Sequence, residues 1–214
     1  MKNRNLTNRA YHDVRNRILS FQLLPGAKVS DKDIAQQMGI SRSPVRQALF
    51  RLAEQGLLQT RPNKGFVVKV YSPEELQDLF VFREAMEVKA IDLAVKKLTN
   101  WDIDRLGRQV DTYLVSIGKN DIRKLNQMDR AIHATLMKLG GNRFMIEYFN
   151  SLCDRIQISF PQLRYTEADL RIIHEEHKQI VAHIIQRDAK KVKTALSAHI
   201  RIGLEEKLRA FRNV

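Results

Sequence analysis

Four side chains in the second part of the sequence are of the types that bind transition metals. Asp129 and His133 lie four residues apart, so a helix would place both on one face. His177 and His199 fall within the apolar stripes of two later helices, which would turn both imidazoles inward. Three imidazoles with one carboxylate suit zinc, nickel or ferrous iron better than calcium or magnesium. The alternative is a buried polar network without metal, and His174, one turn before His177, is a candidate substitute ligand.

A second pair of charged residues lies on a stripe that should face a core. Arg83 and Glu87 fall on the apolar stripe of the helix predicted over residues 73–98, at helical spacing from Phe80 and Ala90. Charged groups in such positions are costly unless they are paired or used. We therefore expect either a simple ion pair or an effector-binding role for Arg83 and Glu87.

Helices must position these residues, and the pattern after residue 72 is helical throughout. Apolar residues recur at helical spacing between breaks marked by Gly, Asn, Pro and Asp, and strand patterns are absent. Six helices of this length favour an antiparallel bundle whose sites are built from inward-facing side chains. The predicted helices span residues 73–98, 101–118, 121–139, 143–160, 167–187 and 189–211.

The segment 41–55, SRSPVRQALFRLAEQ, is typical of a helix that contacts DNA. Pro44 suits a first helical position, which makes Ser43 the expected N-cap. Arg42 and Arg46 lie four residues apart near the helix start, off its apolar stripe. Backbone donors, hydroxyls and guanidinium groups together suit phosphates and base edges. The alternative for this segment alone is an ordinary amphipathic helix with solvated arginines.

The flanking segments favour the DNA-binding interpretation. Residues 30–38 predict a short helix capped by Ser30, and Gly39 with the next residue forms a tight connection to the segment above. After that segment, two short β-prone runs flank RPNKG and predict a hairpin wing, with Asn63 and Lys64 at its tip. The sequence therefore predicts a mostly α protein: an N-terminal winged helix-turn-helix followed by an all-α antiparallel helical bundle.

The charge distribution supports a polyanion partner for the N-terminal part. The 214 residues carry a net charge of +13, and residues 1–70 hold 13 Lys and Arg against 4 Asp and Glu. The remaining residues hold 24 against 20, so the basic excess is concentrated at the N-terminus. We expect two domains: a DNA-binding domain over residues 1–71, and an effector- and metal-binding, dimerising domain over residues 72–214.

Cysteine usage and hydropathy predict a cytoplasmic location. The single cysteine, Cys153, cannot form an internal disulfide and fits a reducing compartment. The N-terminus has no apolar signal-peptide core, and no run approaches the ~18 apolar residues of a transmembrane helix. A membrane-surface role would need a long basic amphipathic helix, which is also missing. The expectation is thus a cytoplasmic protein without a membrane partner.

Residues 11–68 resemble the DNA-binding domain of GntR-type bacterial transcription regulators. The family usually has Glu where Gln47 stands and Arg where Lys32 stands. The matching residues are Tyr11, Ile18-Leu19, Pro25-Gly26, Ile34-Ala35, Ser41 to Arg46, Ala48-Leu49, Leu52, Gly56-Leu57 and Gly65. The resemblance implies DNA contacts from Lys32, Ser41, Arg42, Ser43, Arg46, Asn63, Lys64 and Gly65.

Residues 73–214 resemble the FCD effector-binding domain of the FadR-type branch of that family. The matching pattern runs from Arg83 and Glu87 through Asp129-x-x-x-His133 and Gly141-Asn142 to His177, Asp188 and His199. The predicted number of helices, six rather than seven, resembles the shorter, VanR-like form of the FCD domain. The resemblance implies that Asp129, His133, His177 and His199 are metal ligands, with zinc favoured and nickel or iron as alternatives.

These observations together predict a ligand-responsive transcription regulator rather than an enzyme. We expect a homodimer that binds a palindromic double-stranded DNA operator and responds to a small-molecule effector, an organic acid bound beside the metal. The alternative is a metal-dependent hydrolase that the basic domain tethers to nucleic acid, because Asp/His sets also support hydrolysis.

Overall fold

The computed structural model describes residues 2–62, 64–95, 97–117, 122–159 and 165–212. The chain divides into two compact units. The first comprises residues 1–72 together with 154–161, and the second comprises residues 73–153 together with 162–214. No helix in the described ranges is long and apolar enough to cross a membrane.

The first unit is a winged helix-turn-helix, as the sequence predicts. Its three strands form one antiparallel sheet in the order β1-β3-β2, and the β2–β3 hairpin is the wing. Buried apolar residues of α1 and α3 form its core, among them Ile18 and Leu52. Its elements are α1 (Lys2–Leu19), β1 (Lys28–Val29), α2 (Asp31–Met38), α3 (Arg42–Glu54), β2 (Leu58–Arg61) and β3 (Gly65–Val68).

The connection from α2 to α3 follows the predicted chemistry except at the start of α3. Ser30 caps α2 by accepting a hydrogen bond from the Asp33 backbone N–H, and Gly39 ends it with a φ of 64°. The predicted Ser43 N-cap is wrong, because α3 already begins at Arg42 after Ser41. Pro44 therefore occupies the third helical position, where its missing N–H has no partner in the helix to lose.

Two further differences concern the N-terminus and the sheet. Residues 1–6 are expected as a frayed tail, but α1 begins at Lys2. Because this polar stretch has no apolar periodicity, the sequence does not predict it as helical. In the structure it extends the amphipathic part of α1. Strand β1 is not predicted, since its two residues are too short to form a pattern; it forms by pairing Lys28 with Val67 of the wing.

Among its described residues, the second unit contains the six predicted helices, with ends that differ by at most a few residues. Their bounds are α4 (Pro73–Ala94), α5 (Asn100–Ile117), α6 (Ile122–Gly140), α7 (Arg143–Ile158), α8 (Glu167–Ile185) and α9 (Ala189–Arg212). The last residues of α7 group with the first unit, where Asp154 forms a two-pronged ion pair with Arg15 at 2.7 Å.

Helix contacts in the second unit bring the charged residues of interest to one interior. Helix α4 packs on α6 and α9, α5 packs on α6 and α8, and α8 packs on α9. The close approach of α4 and α6 depends on Gly140, since a Cβ there would lie 3.0 Å from the backbone of Ala90. Inward-facing residues of α4, α6, α8 and α9 therefore meet.

Candidate metal centre and nucleic-acid interface

The four residues proposed as metal ligands converge in the second unit. Asp129 and His133 come from α6, His177 from α8 and His199 from α9. One ligand atom from each residue lies within 4.8 Å of the others. The three histidines are buried, whereas 29% of the Asp129 side chain is exposed. The helical periodicity therefore places the four together as the sequence predicts.

The distances between ligand atoms suit a transition metal. His133 Nε2 lies 3.1 Å from His199 Nε2 and 3.3 Å from His177 Nε2. Asp129 Oδ1 lies 3.4 Å from His177 Nε2 and 3.8 Å from His133 Nε2. Tetrahedral zinc with nitrogen ligands would space its ligand atoms about 3.3 Å apart. The four distances are close to that spacing, so the donor set fits such an ion.

Two carboxylates, the buried Glu87 and the partly buried Glu176, fix the orientation of two of the rings. Glu87 Oε2 lies 2.5 Å from Nδ1 of His133, and Glu176 Oε2 lies 2.6 Å from Nδ1 of His199. Each neutral imidazole then carries its proton on Nδ1 and points an Nε2 lone pair at the other ring. Unless one ring takes up an extra proton, these lone pairs repel each other. A cation between them removes that repulsion, which favours metal binding over a purely polar network.

Glu87 also joins Arg83 to the centre. Arg83 donates through Nε to Glu87 Oε1 at 2.6 Å, so the expected ion pair is present, and its partner carboxylate also holds His133. Burial acts to raise the pKa of Glu87, but interactions with His133 and Arg83 outweigh it and lower the pKa to about 2. Glu87 is therefore an anion that orients a ligand and balances the Arg83 charge.

The surroundings of His177 and His199 favour the neutral form of the imidazole, which is the form that binds a metal. Burial, followed by the neighbouring imidazole His133, lowers the pKa of His199 to about 3. Burial, followed by His199, lowers the pKa of His177 well below its ordinary value. Burial would raise the pKa of Asp129, but the nearby histidines and Arg83 hold it below its usual range. Metal binding needs little proton release from such groups.

The sequence did not identify Glu176, although it occupies the position before His177. Glutamates on a helix are usually solvated, and nothing in the spacing distinguishes Glu176 from its neighbour Glu175, whose side chain is 59% exposed. His174 is not one of the four converging residues; its ring stacks on Tyr113 at a centroid distance of 6.5 Å.

A small cavity opens beside the metal ligands. It measures about 60 Å³ and is lined by Asp129, His199, Arg83 and Tyr113 among others. Sites for drug-sized ligands measure about 300 Å³ or more, so this one suits a small molecule. A ligand in it would share this space with Asp129, His199 and Arg83.

The residues expected to contact DNA are exposed on the first unit. Arg42 donates to Asp31 at 2.9 Å, and the Arg46 guanidinium lies 5.8 Å from the centroid of the Phe50 ring. Phe50 in turn packs edge-on against Phe66 of the wing. The exposed members of the set are Lys32, Ser41, Arg42, Ser43, Arg46, Lys64 and Gly65. Asn63 lies outside the described residues.

Comparison with known families agrees with both units. The FCD domain matches residues 78–202, and the family described as bacterial regulatory proteins, gntR family, matches residues 6–68.

Curated proteins and a solved structure resemble nearly the whole chain. The Nta operon transcriptional regulator of Aminobacter aminovorans is 28% identical over 199 residues, covering 91% of this chain and 90% of that protein. The HTH-type transcriptional repressor RspR of Escherichia coli strain K12 is 26% identical over 206 residues, covering 94% and 88%. The structure of E. coli McbR/YncC matches with a TM-score of 0.84 over 96% of this chain and 98% of that one; its 22% identity supports the fold alone.

Proposed function

Since this chain belongs to the GntR family of bacterial transcription regulators and carries an FCD domain, we propose that it is a metal-containing, ligand-responsive member. It binds a palindromic operator as a homodimer and responds to a small organic acid. The observation that supports this most directly is the convergence of Asp129, His133, His177 and His199 with carboxylates on two of the three rings.

The proposed ion is zinc, with nickel or ferrous iron as alternatives. Bound there, it would supply a Lewis-acidic position for a carboxylate oxygen of the effector. Asp129 and the three histidines hold it, while Glu87 and Glu176 orient His133 and His199. Because the ligands come from α6, α8 and α9, the ion would brace three helices.

Effector binding would change the packing of these helices. A carboxylate in the cavity gains attraction from Arg83, whose guanidinium lines the same space. Any effector that binds one arrangement of α6, α8 and α9 more tightly than another shifts the population toward it. In the assembled dimer, that shift would alter operator affinity.

DNA recognition is assigned to α3 and the wing of the first unit. Arg42 and Arg46 reach the major groove, and Lys64 reaches the backbone beside it. A two-fold operator pairs with a two-fold protein, since a single winged domain buries little DNA surface. The homodimer is held mainly through residues 72–214.

The similar proteins do not support the alternative function, a metal-dependent hydrolase. Both matching families and the relatives above are transcription regulators rather than enzymes. Metal in this chain therefore serves to bind an effector and brace helices, without activation of a water molecule.

Metal analysis of the purified full chain tests the proposal. We expect about one transition-metal ion per chain, and a DNA fragment carrying its operator should shift with the protein. His133→Ala with His177→Ala should lose the metal, whereas His12→Ala, an exposed residue of α1, should retain it. Metal-free wild-type protein that still responds to an organic acid would reduce the four residues to a structural polar cluster.

A further inference from the structure

The outward face of α4 carries two bulky apolar side chains next to a groove. Val81 is 67% exposed and Phe82 is 48% exposed. Helices α4 and α9 border a groove of about 490 Å³, and Val81, Ala85 and Val88 are among the α4 residues that line it. Neighbouring exposed apolar side chains beside a groove favour a surface that binds another protein.

The exposed residues of α4 are spaced as in a helix that packs against a second helix. Asp78, Phe82, Ala85 and Lys89 follow one another at intervals of four, three and four residues, and all of them are exposed. Such intervals keep a row of side chains on one side of a helix, where they form the seam of a helix pair. The row begins with an acidic residue and ends with a basic one.

This row is complementary to itself when a second copy of α4 runs in the opposite direction. Antiparallel pairing about a midpoint near residue 84 sets Asp78 opposite Lys89, so that opposite charges meet. The same pairing sets Phe82 opposite Ala85, so that a large side chain meets a small one. In a two-fold interface each of these contacts occurs twice, because the two copies exchange roles.

Two valines extend the match toward the groove. Antiparallel pairing about the same midpoint sets Val81 opposite Val88, and both side chains line the groove. One acid–base match and two apolar matches therefore share one midpoint. That symmetry favours a second copy of this chain over an unrelated partner.

The charges at the two ends of the α4–α9 pair follow the same symmetry. Ion pairs between the helices show that they are antiparallel, so the start of α4 adjoins the end of α9. At that end, residues 74–78 and 205–209 hold five acidic residues against two basic ones. At the other end, residues 89–93 and 189–193 hold four lysines against one aspartate. A two-fold rotation brings each acidic end onto the basic end of the other copy.

The face is large enough for a stable dimer. Helix α4 has 22 residues. A helix of that length is about 33 Å long, and two packed helices are together about 20 Å wide. The resulting area is of the same order as the roughly 800 Å² that each partner buries in a standard protein interface.

Resting on the homodimer of the proposed function, we propose that this face of α4 is the dimer interface and that a second copy of the chain covers it. The two α4 helices pack antiparallel, and Asp78 of each copy pairs with Lys89 of the other. Phe82 of each copy packs over Ala85 of the other, beside the groove.

Sedimentation equilibrium of the full chain tests this interface. The wild type should be a dimer. Ala85→Arg should weaken dimerisation by about a hundredfold, because it places a bulky charged side chain at a close helix contact twice in each dimer. Ala182→Arg replaces an exposed alanine of α8 in the same unit. It is the matched control and should leave the dissociation constant of the dimer unchanged.

Charge reversal tests the direction in which the two helices run. Asp78→Lys alone and Lys89→Glu alone should each weaken dimerisation by about tenfold, because each sets two pairs of like charges across the interface. Mixing the two variants should restore dimerisation, since every pair in the mixed dimer again joins opposite charges. The two positions lie about 16 Å apart along one helix, so this rescue does not arise within a single chain.

The outcomes separate this inference from the proposed function. A dimer that tolerates Ala85→Arg overturns the interface and leaves the homodimer standing through another surface. Charge reversals that have no effect, or that mixing does not rescue, have the same meaning. If the wild type is a monomer at micromolar concentration, the homodimer of the proposed function fails together with this interface.

Discussion

Oε2 of Glu176 lies 2.6 Å from Nδ1 of His199, on the opposite side of the ring from the nitrogen that faces the other metal ligands. A carboxylate in that position fixes the ring tautomer and raises the basicity of the ligating nitrogen. In the proposed metal centre, Glu176 would thereby orient a ligand without contacting the ion.

Glu176→Gln should lower metal affinity by about 10–100-fold, the usual cost of losing such a partner. A glutamine keeps the shape of the side chain but not its charge. Competition against a chromophoric chelator measures the change. The control is Glu175→Gln, whose carboxylate faces Lys178 at the surface and should leave affinity unaltered. Equal affinities for both variants would remove Glu176 from the centre.

Chelation should lower the melting temperature of the full chain. An ion bound only to the folded state adds about 2.7 kcal/mol of stability at a concentration one hundred times its dissociation constant. His133→Ala with His177→Ala should abolish the effect of the chelator. Thermal unfolding with and without chelator measures it, and a chelator effect that survives in the double variant would place the stabilising ion elsewhere.

The helical periods that predict the bundle also predict which histidines meet. His133, His177 and His199 each interrupt an apolar stripe, so burial of the stripe carries the imidazole inward with it. The same periodicity predicts that Glu87 faces inward. It does not predict the role of Glu176, because Glu176 lies beside the apolar stripe of α8 and contacts His199 only through the packing of α8 on α9.

Residues that mark the start of a helix or strand predict the structure less reliably than the helical spacing of apolar residues does. A proline is accepted anywhere in the first turn of a helix, so Pro44 fixed the beginning of α3 only to within two residues. Strand β1 depends on its partner in the wing rather than on its own sequence.

Arg46→Ala should cost about 1–3 kcal/mol of operator binding and relax sequence preference, if the guanidinium reads a base. The Arg46 guanidinium lies 5.8 Å from the centroid of the Phe50 ring, and Phe50 packs edge-on against Phe66. Affinities for the operator and for point-substituted operators measure both effects. An unchanged operator affinity would show that α3 is not the recognition helix.

Lys64→Ala should weaken binding to all DNA sequences alike. Lys64 is an exposed lysine between the wing strands, and a phosphate contact carries no sequence information. The slope of log affinity against log salt should fall by about one unit. Salt titrations on operator and random DNA give this slope. A loss confined to the operator would mean that Lys64 contacts a base instead.

Gly140→Ala should destabilise the second unit even though alanine is the better helix former. The new Cβ would lie 3.0 Å from Cα, Cβ and the carbonyl oxygen of Ala90, so α4 and α6 must move apart. Overpacking of this kind costs about 1–3 kcal/mol, against a gain of about 0.5–1 kcal/mol from replacing a helical glycine. The net effect is a loss of stability, which thermal or denaturant unfolding measures.

The same substitution should also weaken metal binding, because α4 carries Glu87 and α6 carries His133, which are in contact. Gly107→Ala in α5 is the matched control. A Cβ at Gly107 meets no atom within 4 Å, so that variant should be neutral or more stable by up to about 1 kcal/mol, with metal affinity intact. If the two variants unfold alike and bind metal alike, the spacing of α4 and α6 does not control the geometry of the centre.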